Sequence, residues 1–411
     1  MLVDIILGAG FGDEGKGRAV SELISIYRQE NEYTNLKDRR ILVIRFSGGH
    51  QCGHTVVVNG RRHVFSNFGS GTLQGVPTYW SKYCTVFPIA LVREHISLVN
   101  DKHIKPQLFI DPLAPVTTPY DIMQNRSAEE KNGHGSCGVG FGATIERHQK
   151  LKLYWQDLFY PGVLKAKLEN IRDYYGYGDY YSYAPDPLHA KLSRAMYNFG
   201  NACDYIRRYF YKNMDLPNPL SDYDNIIFEG SQGILLDQDF GFFPNVTRAN
   251  TTSNNVWSFI QEHPNFMRTS TINIYYVTRP YQTRHGNGFM SSEESLELIN
   301  NEKETNTEDR YQGKFRTGYF DQDLVNYAID CDTVICNNRN VTGLFTIKRN
   351  MIVTCTDQIV DRKMPVIGKR KEDWLDIHNF FSGSFEGKLK GGNLLFIDSE
   401  GVTTTQKAQV V

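Results

Sequence analysis

The sequence predicts an α/β fold: a largely parallel central sheet with a P-loop-like nucleotide-binding loop and helical insertions. Three observations carry this expectation. An apolar run, Leu2–Leu7, passes directly into a glycine-rich turn and then into helical periodicity, giving strand, glycine loop and helix in order. Apolar runs of strand length then alternate with helical patterns, as parallel strands joined by crossovers require. Polar and glycine-rich clusters follow several of these runs directly, at the strand ends where open α/β sheets bind ligands.

The elements follow in chain order. After the first strand, Val20–Arg28 reads as a helix, and Ile41–Phe46, His63–Phe65, Thr85–Phe87 and Gln107–Ile110 as strands. Leu164–Tyr174 and Leu188–Tyr211 have helical periodicity, Asn225–Phe228 and Ile272–Val277 are strand-like, and Asp321–Ile329 is helical. Leu344–Thr346, Met351–Thr354 and Leu394–Ile397 complete the strands. Asn300–Gln312 is polar and charged and reads as a mobile loop; the tyrosine-rich Tyr174–Tyr183 reads as a solvated loop or packing surface. No repeat, linker or shift in composition divides the chain, so residues 1–411 are expected to form a single domain, with Tyr154–Asn218 an insertion that carries no functional reading.

Composition excludes several classes of function. With 411 residues, 40% hydrophobic and 22% charged, the chain can bury a large core, and its net charge of −1 offers no electrostatic footprint for nucleic acid. Seven scattered cysteines without a C-x-x-C pair are expected to be reduced thiols of a cytoplasmic protein. No apolar segment reaches membrane-spanning length, and no signal-peptide pattern precedes the first strand, so no membrane role is expected.

Four clusters carry chemistry. In the first loop, Gly10–Lys16 fits the spacing G-x-x-x-x-G-K, but Gly17 stands where a P-loop places the Ser or Thr that holds Mg²⁺. The acidic pair Asp13 and Glu14 lies inside this loop, where a carboxylate is costly beside phosphate unless it binds metal or takes a proton. The second cluster, Ser47–Val57, carries His50 and His54. On a helix these would pair on zinc, but the glycines favour a loop, from which His54 opposite Asp13 suits proton or phosphoryl chemistry. The third, Gly133–Gly142, offers Ser136 and Cys137 as donors, or is a flexible loop without a role. The fourth, Phe228–Ser253, places Gln232 on a glycine turn where its amide can read a base edge. Asp237 and Asp239 fit turns better than a metal, and the run Thr247–Ser253 offers hydroxyls to a phosphate. Further on, Arg279, Arg284, Lys314 and Arg316 are loop cations, and Asp357 follows a strand where it can accept from a guanine edge.

In this order the segments resemble the adenylosuccinate synthetase family, most specifically through GDEGKG at Gly12–Gly17, GH-x-x-GHT at Gly49–Thr55, and FEG-x-QG-x-LLD with P-x-VT-x-x-NTT across Phe228–Thr252. The resemblance implies a ligase that condenses aspartate with IMP and hydrolyses GTP with Mg²⁺. By position it makes Asp13 the base at the purine N1 and His54 the acid that assists phosphoryl transfer to O6. Gly12, Glu14, Gly15, Lys16, Gly17, Gly53 and Thr55 fall in the phosphate-binding loops, with Asp13 and the Gly53 carbonyl on Mg²⁺. Gln51, Ser136, Cys137, Gln232 and Thr247 match purine-nucleotide contacts. Asp357, Ser399 and Gly401 match the guanine pocket, and Lys314 and Arg316 the aspartate loop. A homodimer is implied as well.

The chain departs from the family at several of these positions. Gln51 replaces Asn, Ser136 and Cys137 replace two threonines, Val139 replaces an arginine, and Cys355 replaces the lysine that flanks guanine, so ATP stands beside GTP as the donor. Some phages encode a relative that aminates dGMP and often carries Ser where this chain keeps Asp13. IMP is therefore the first reading and dGMP the alternative. A nucleotide-binding regulator without turnover would need neither Asp13 nor His54, and a ligase for a non-purine acid would need no base readers.

Overall fold

A computed structural model describes the chain except residues 35–39, 134, 178–186, 211–221, 265, 267–268, 270, 301–310, 312, 341–342, 386, 390 and 408–411. Most of Asn300–Gln312 and the second half of Tyr174–Tyr183 thus lie outside the described residues, as does part of Tyr154–Asn218.

In chain order the elements are β1 (Leu2–Gly8), α1 (Lys16–Thr34), β2 (Ile41–Arg45), β3 (His54–Val58), β4 (Arg61–Phe65), β5 (Thr78–Trp80), α2 (Pro88–Ile96) and β6 (Leu108–Ile110). There follow α3 (Pro119–Asn132), α4 (Phe141–Lys150), α5 (Pro161–Tyr175), α6 (Pro187–Tyr209), β7 (Asn225–Gly233), α7 (Asn254–Glu262) and β8 (Thr271–Thr278). The remainder is β9 (Gln282–His285), β10 (Phe315–Gly318), α8 (Gln322–Arg339), β11 (Thr346–Val353), α9 (Ile377–Ser384), β12 (Asn393–Ile397) and β13 (Val402–Lys407).

Nine strands form one sheet in the order β13-β12-β11-β8-β1-β7-β2-β5-β6. Every neighbouring pair is parallel except β12 with β13, which is antiparallel. The expected α/β architecture with a largely parallel sheet is what the chain adopts. Because side chains alternate across a strand, β1 divides the core: Val3, Ile5 and Leu7 join the cluster built with α7, α8 and α9, whereas Ile6 packs with Val20, Leu23 and Ile24 of α1. A third cluster fills the space between β5, β6 and helices α2, α5 and α6.

Three strand expectations change. Thr85–Phe87 makes only a bridge from Val86 to Val116, because Pro88 opens α2 immediately. Leu344–Thr346 leads into, and Met351–Thr354 ends, one strand, β11 (Thr346–Val353), whose polar middle Lys348–Asn350 hides its continuity in the apolar pattern. His63–Phe65 lies in β4 and pairs antiparallel with β3 in a hairpin outside the main sheet. The hairpins β3–β4 and β9–β10 touch residues of β7 and of the loop at the carboxyl end of β1 through His54, Thr283 and His285.

Candidate active site

The loops after β1, β2, β7, β8, β11 and β12 surround one cleft of about 1260 Å³. Asp13, Gly15, Lys16 and Gly17 come from the first loop, Gln51, Gly53, His54 and Thr55 from the second, and Gln232 and Thr247 from the segment after β7. Gly12, Ser136, Cys137, Asp357 and Ser399 also line it. Four expected residues do not. Glu14 is buried within the first loop, Gly401 is half-buried outside the lining, Lys314 is exposed, and Arg316 donates to Glu293 (2.9 Å) and to the Gly288 carbonyl.

Glu14 is the internal anion of the first loop. Its carboxylate accepts from the N–H groups of Gly10 (3.1 Å) and Gly12 (2.7 Å) and pairs with Lys16 Nζ at 2.6 Å. It closes the loop around a charge of its own, and the lysine reaches the cleft already neutralised. Gly17 has a separate reason. A Cβ there would stand 2.6 Å from the His54 Cβ, so the side chain that a P-loop places at this position is excluded by the histidine.

Asp13 holds a left-handed backbone, with φ of 65°, which Asp tolerates better than most side chains. Three groups from β8–β9 fix it. Arg279 Nε donates to the Asp13 carbonyl (2.7 Å), Thr283 Oγ1 donates to the Gly12 carbonyl (3.1 Å), and His285 Nδ1 stands 3.4 Å from Asp13 Oδ2. Burial pushes the Asp13 carboxyl above its usual range, and His285 and Arg279 oppose that rise. Gln232 and Cys355 share the left-handed conformation, so unusual backbone angles collect around this cleft.

His54 opens β3 and lines the cleft, and its Nδ1 lies 2.5 Å from Oε1 of Glu229, which is fully buried outside the lining. Glu229 also accepts from the Ser70 N–H and hydroxyl and lies 4.0 Å from Arg45. Burial works to raise the Glu229 pKa, but Arg45, His54 and Ser70 outweigh it and bring it down to about 2. Burial and Arg45 push the His54 pKa down, against the pull of Glu229. An anionic Glu229 thus accepts from His54 Nδ1–H and leaves Nε2 for a ligand. Glu229 and Arg45 were missed in the sequence, although an acidic residue ending an apolar strand and an arginine inside ILVIRF were the visible signals.

The pair is also structural. Glu229→Ala leaves Arg45 buried without its anion, and a loss of about 3–5 kcal/mol is expected in a denaturant titration. Because the folded pKa of Glu229 is depressed, its contribution is complete above the unfolded carboxylate range near 4.5. It is lost as pH falls toward about 2. The acid limb of the wild-type stability profile should therefore shrink in Glu229→Gln; an unchanged limb would remove Glu229 from the account.

The amide of Gln51 and the Oε1 of Gln232 are buried without protein partners, so both retain capacity for a ligand. The loop from Gly135 is tied to α3 by Asn125 Nδ2, which donates to Ser136 Oγ, and by Glu129, which accepts from the Gly135 N–H. Asp237 serves turns, accepting from Asp239, Thr251 and Thr252, and the Ser253 hydroxyl is bound to Asp332. Of the Thr247–Ser253 run, only Thr247 and Arg248 line the cleft. His50 and His54 diverge: His50 packs on Phe87 while His54 meets Glu229, so they do not form the zinc pair. Among the described residues no group of three metal-ligating side chains occurs. Asp357 Oδ2 accepts from the Ser399 N–H (3.3 Å), which joins the β11 and β12 loops at the far end of the cleft.

Asp13 and Gly53 line the same cleft, and a carboxylate with a main-chain carbonyl is a hard oxygen donor set that suits Mg²⁺, an ion that keeps waters and substrate phosphates as its other ligands. Among the described residues no helix is long and apolar enough to cross a membrane.

Known proteins resemble this chain in sequence and in fold. An adenylosuccinate synthetase from Buchnera aphidicola is 30% identical over 346 residues, which cover 80% of this chain and 74% of that protein. The fold matches the fully ligated adenylosuccinate synthetase from Plasmodium falciparum with a TM-score of 0.62 at 20% identity, covering 86% of this chain and 77% of that one. It also matches the cyanophage S-2L succinoaminodeoxyadenylate synthetase PurZ, bound to dGMP and dATP, with a TM-score of 0.57 at 15% identity, covering 100% of this chain and 96% of that one. The family model for adenylosuccinate synthetase matches residues 5–352, a stretch that holds most of the cleft and the sheet apart from β12 and β13, and the chain belongs to this family of ligases.

Proposed function

We propose that the protein couples L-aspartate to C6 of a 6-oxopurine nucleoside monophosphate, IMP in the first reading, at the expense of GTP or ATP. The observation that carries this is the meeting of Asp13 and His54 in one cleft, each held by a dedicated partner set and joined by Lys16. Asp13 takes the N1 proton, O6 attacks the γ-phosphorus, and the bond to the β–γ bridging oxygen breaks to release nucleoside diphosphate. His54 assists at the transferring phosphoryl group. The aspartate amine then attacks C6, and the C6–O6 bond breaks to release phosphate. Lys16 and the loop amides hold the γ-phosphate once Glu14 shares them. Asp13 and the Gly53 carbonyl would hold Mg²⁺, which when bound would supply charge neutralisation at the phosphates. Gln51, Gln232, Thr247, Ser136 and Cys137 hold the acceptor nucleotide, and Asp357 with Ser399 the donor base. A cytoplasmic homodimer belongs to the same reading.

Lys314 and Arg316 are proposed for the aspartate carboxylates, which requires Arg316 to exchange Glu293 for substrate. Arg316→Leu should then raise KM for aspartate far more than KM for purine nucleotide; equal effects on both would leave Arg316 a support of the β9–β10 hairpin.

One observation favours a second reading. The phage PurZ structure, with dGMP and dATP bound, is matched over the whole of this chain and nearly the whole of its own. Incubation with Mg²⁺, aspartate and GTP or ATP, with IMP and dGMP in separate tubes, decides between the acceptors by purine absorbance and phosphate release. Turnover with neither would overturn the ligase reading.

A further inference from the structure

We infer that Arg248 binds the 5′-phosphate of the acceptor nucleotide, and that Glu146 competes with that phosphate for the guanidinium. The inference rests on the proposed reading of the cleft as a nucleotide site. None of the side chains assigned there to the acceptor, Gln51, Ser136, Cys137, Gln232 and Thr247, is a cation. A nucleoside monophosphate presents a dianion, which needs a positive partner when it leaves water.

Five lysines and arginines line the cleft among the described residues, and four of them are committed elsewhere. Lys16 pairs with Glu14 at 2.6 Å. Arg18 pairs with Glu22 at 2.9 Å, and a Cβ at Gly401 would stand 3.9 Å from its Nη2, which puts it by the loop after β12. Arg279 donates to the Asp13 carbonyl and the Tyr281 hydroxyl, and Arg284 to the Phe289 and Asn245 carbonyls. Both are buried, so neither can turn to a ligand without giving up a contact that shapes the site. Arg248 differs. Its side chain is 55% exposed and pairs at 3.2 Å with Glu146, itself 56% exposed. An ion pair so open to water contributes little, so its exchange for another anion costs little.

The pair stands between the two segments assigned to the acceptor. Arg248 follows Thr247 directly, and both line the cleft. Glu146 also lines it, from α4, the helix that follows the loop of Ser136 and Cys137. A Cβ at Gly142, in the first turn of α4, would stand 3.7 Å from Arg248 Cδ, so the arginine stem lies against that turn. A phosphate dianion carries more charge than the carboxylate and matches the guanidinium fork, so it takes the guanidinium from Glu146. An acceptor without a phosphate has no means to do so.

The test measures dissociation constants by calorimetry for IMP, dGMP, GTP and ATP, each alone with Mg²⁺, at low and high salt. The proteins are wild type, Arg248→Ala, Arg248→Lys, Glu146→Gln and the double variant Arg248→Ala/Glu146→Gln. Arg248→Ala is expected to weaken the bound monophosphate by about tenfold or more and to leave the triphosphates within about twofold. Arg248→Lys, which keeps the charge but not the fork, recovers part of the loss. Glu146→Gln tightens monophosphate binding by up to about fivefold, and only where Arg248 is present. Salt weakens the monophosphate less in Arg248→Ala than in wild type. Unchanged monophosphate affinity in Arg248→Ala, an equal loss for monophosphate and triphosphate, or an effect of Glu146→Gln that persists without Arg248 overturns the assignment. Arg248-dependent monophosphate binding without aspartate-dependent turnover sustains the assignment and removes the ligase reaction. Failure of wild type to bind either monophosphate overturns both.

Discussion

Asp13→Asn is expected to abolish aspartate-dependent phosphate release while purine nucleotide and nucleoside triphosphate still bind. The substitution keeps the backbone and removes the negative charge on which both proton acceptance and the proposed Mg²⁺ contact depend. Asn adopts the left-handed backbone as readily as Asp, so the φ of 65° is no obstacle. The main-chain carbonyl that Arg279 holds is untouched, as is the Gly12 carbonyl that receives Thr283. The loop should keep its shape, and the amide oxygen can still accept the purine N1–H. What the amide cannot do is keep that proton. Without its removal O6 stays a weak nucleophile, and the phosphoryl transfer that makes it a leaving group does not begin. Steady-state phosphate release together with calorimetric binding of each nucleotide separates the two effects. A near-normal kcat would sink the base assignment, and loss of binding along with turnover would show that the carboxylate is needed for the loop itself.

The parts of this site that were legible in the sequence are those whose chemistry is local. Strand, glycine loop and helix are adjacent in the chain, so the phosphate loop and Asp13 could be placed from Leu2–Val20 alone. So could the positions of Gln51, Gln232 and Asp357 at strand ends. The function of Glu14 was not legible, because an acidic residue in a phosphate loop looks the same whether it faces the ligand or folds back on Gly10, Gly12 and Lys16. Glu229 was hidden for a different reason. Its meaning depends on Arg45 and His54, which reach it only when β7 pairs with β2 and the β3–β4 hairpin touches β7. His285 was passed over because its partner, Asp13, lies 272 residues away along the chain and meets it only through the β9–β10 hairpin. The polar interior of β11 concealed a strand for a similar cause: its amino-terminal half is partly exposed, so its pattern there is not that of a buried parallel strand.

His54→Asn is expected to lower kcat by about 10² to 10⁴, the range for a lost general acid. The structure explains why the effect should fall on kcat more than on KM. Nδ1 of His54 is committed to Glu229, whose low pKa keeps it anionic across the working range, so the ring is oriented before any substrate arrives. Burial and Arg45 oppose a charge on that ring in the empty cleft. A triphosphate beside Lys16 brings negative charge that offsets Arg45, and this charge is greatest around the phosphoryl group in transfer. The interaction at Nε2 therefore strengthens toward the transition state, which is the condition for a gain in rate rather than in binding. Asn cannot supply it, because its shorter amide reaches Glu229 or the phosphoryl group but not both. The same histidine also fills the space that a side chain at position 17 would need, and the smaller Asn keeps that contact uncrowded. A large fall in kcat with a small change in KM for the triphosphate supports the acid role. A fall below about tenfold would return His54 to packing against Gly17 and leave phosphoryl transfer to Lys16 and the loop amides.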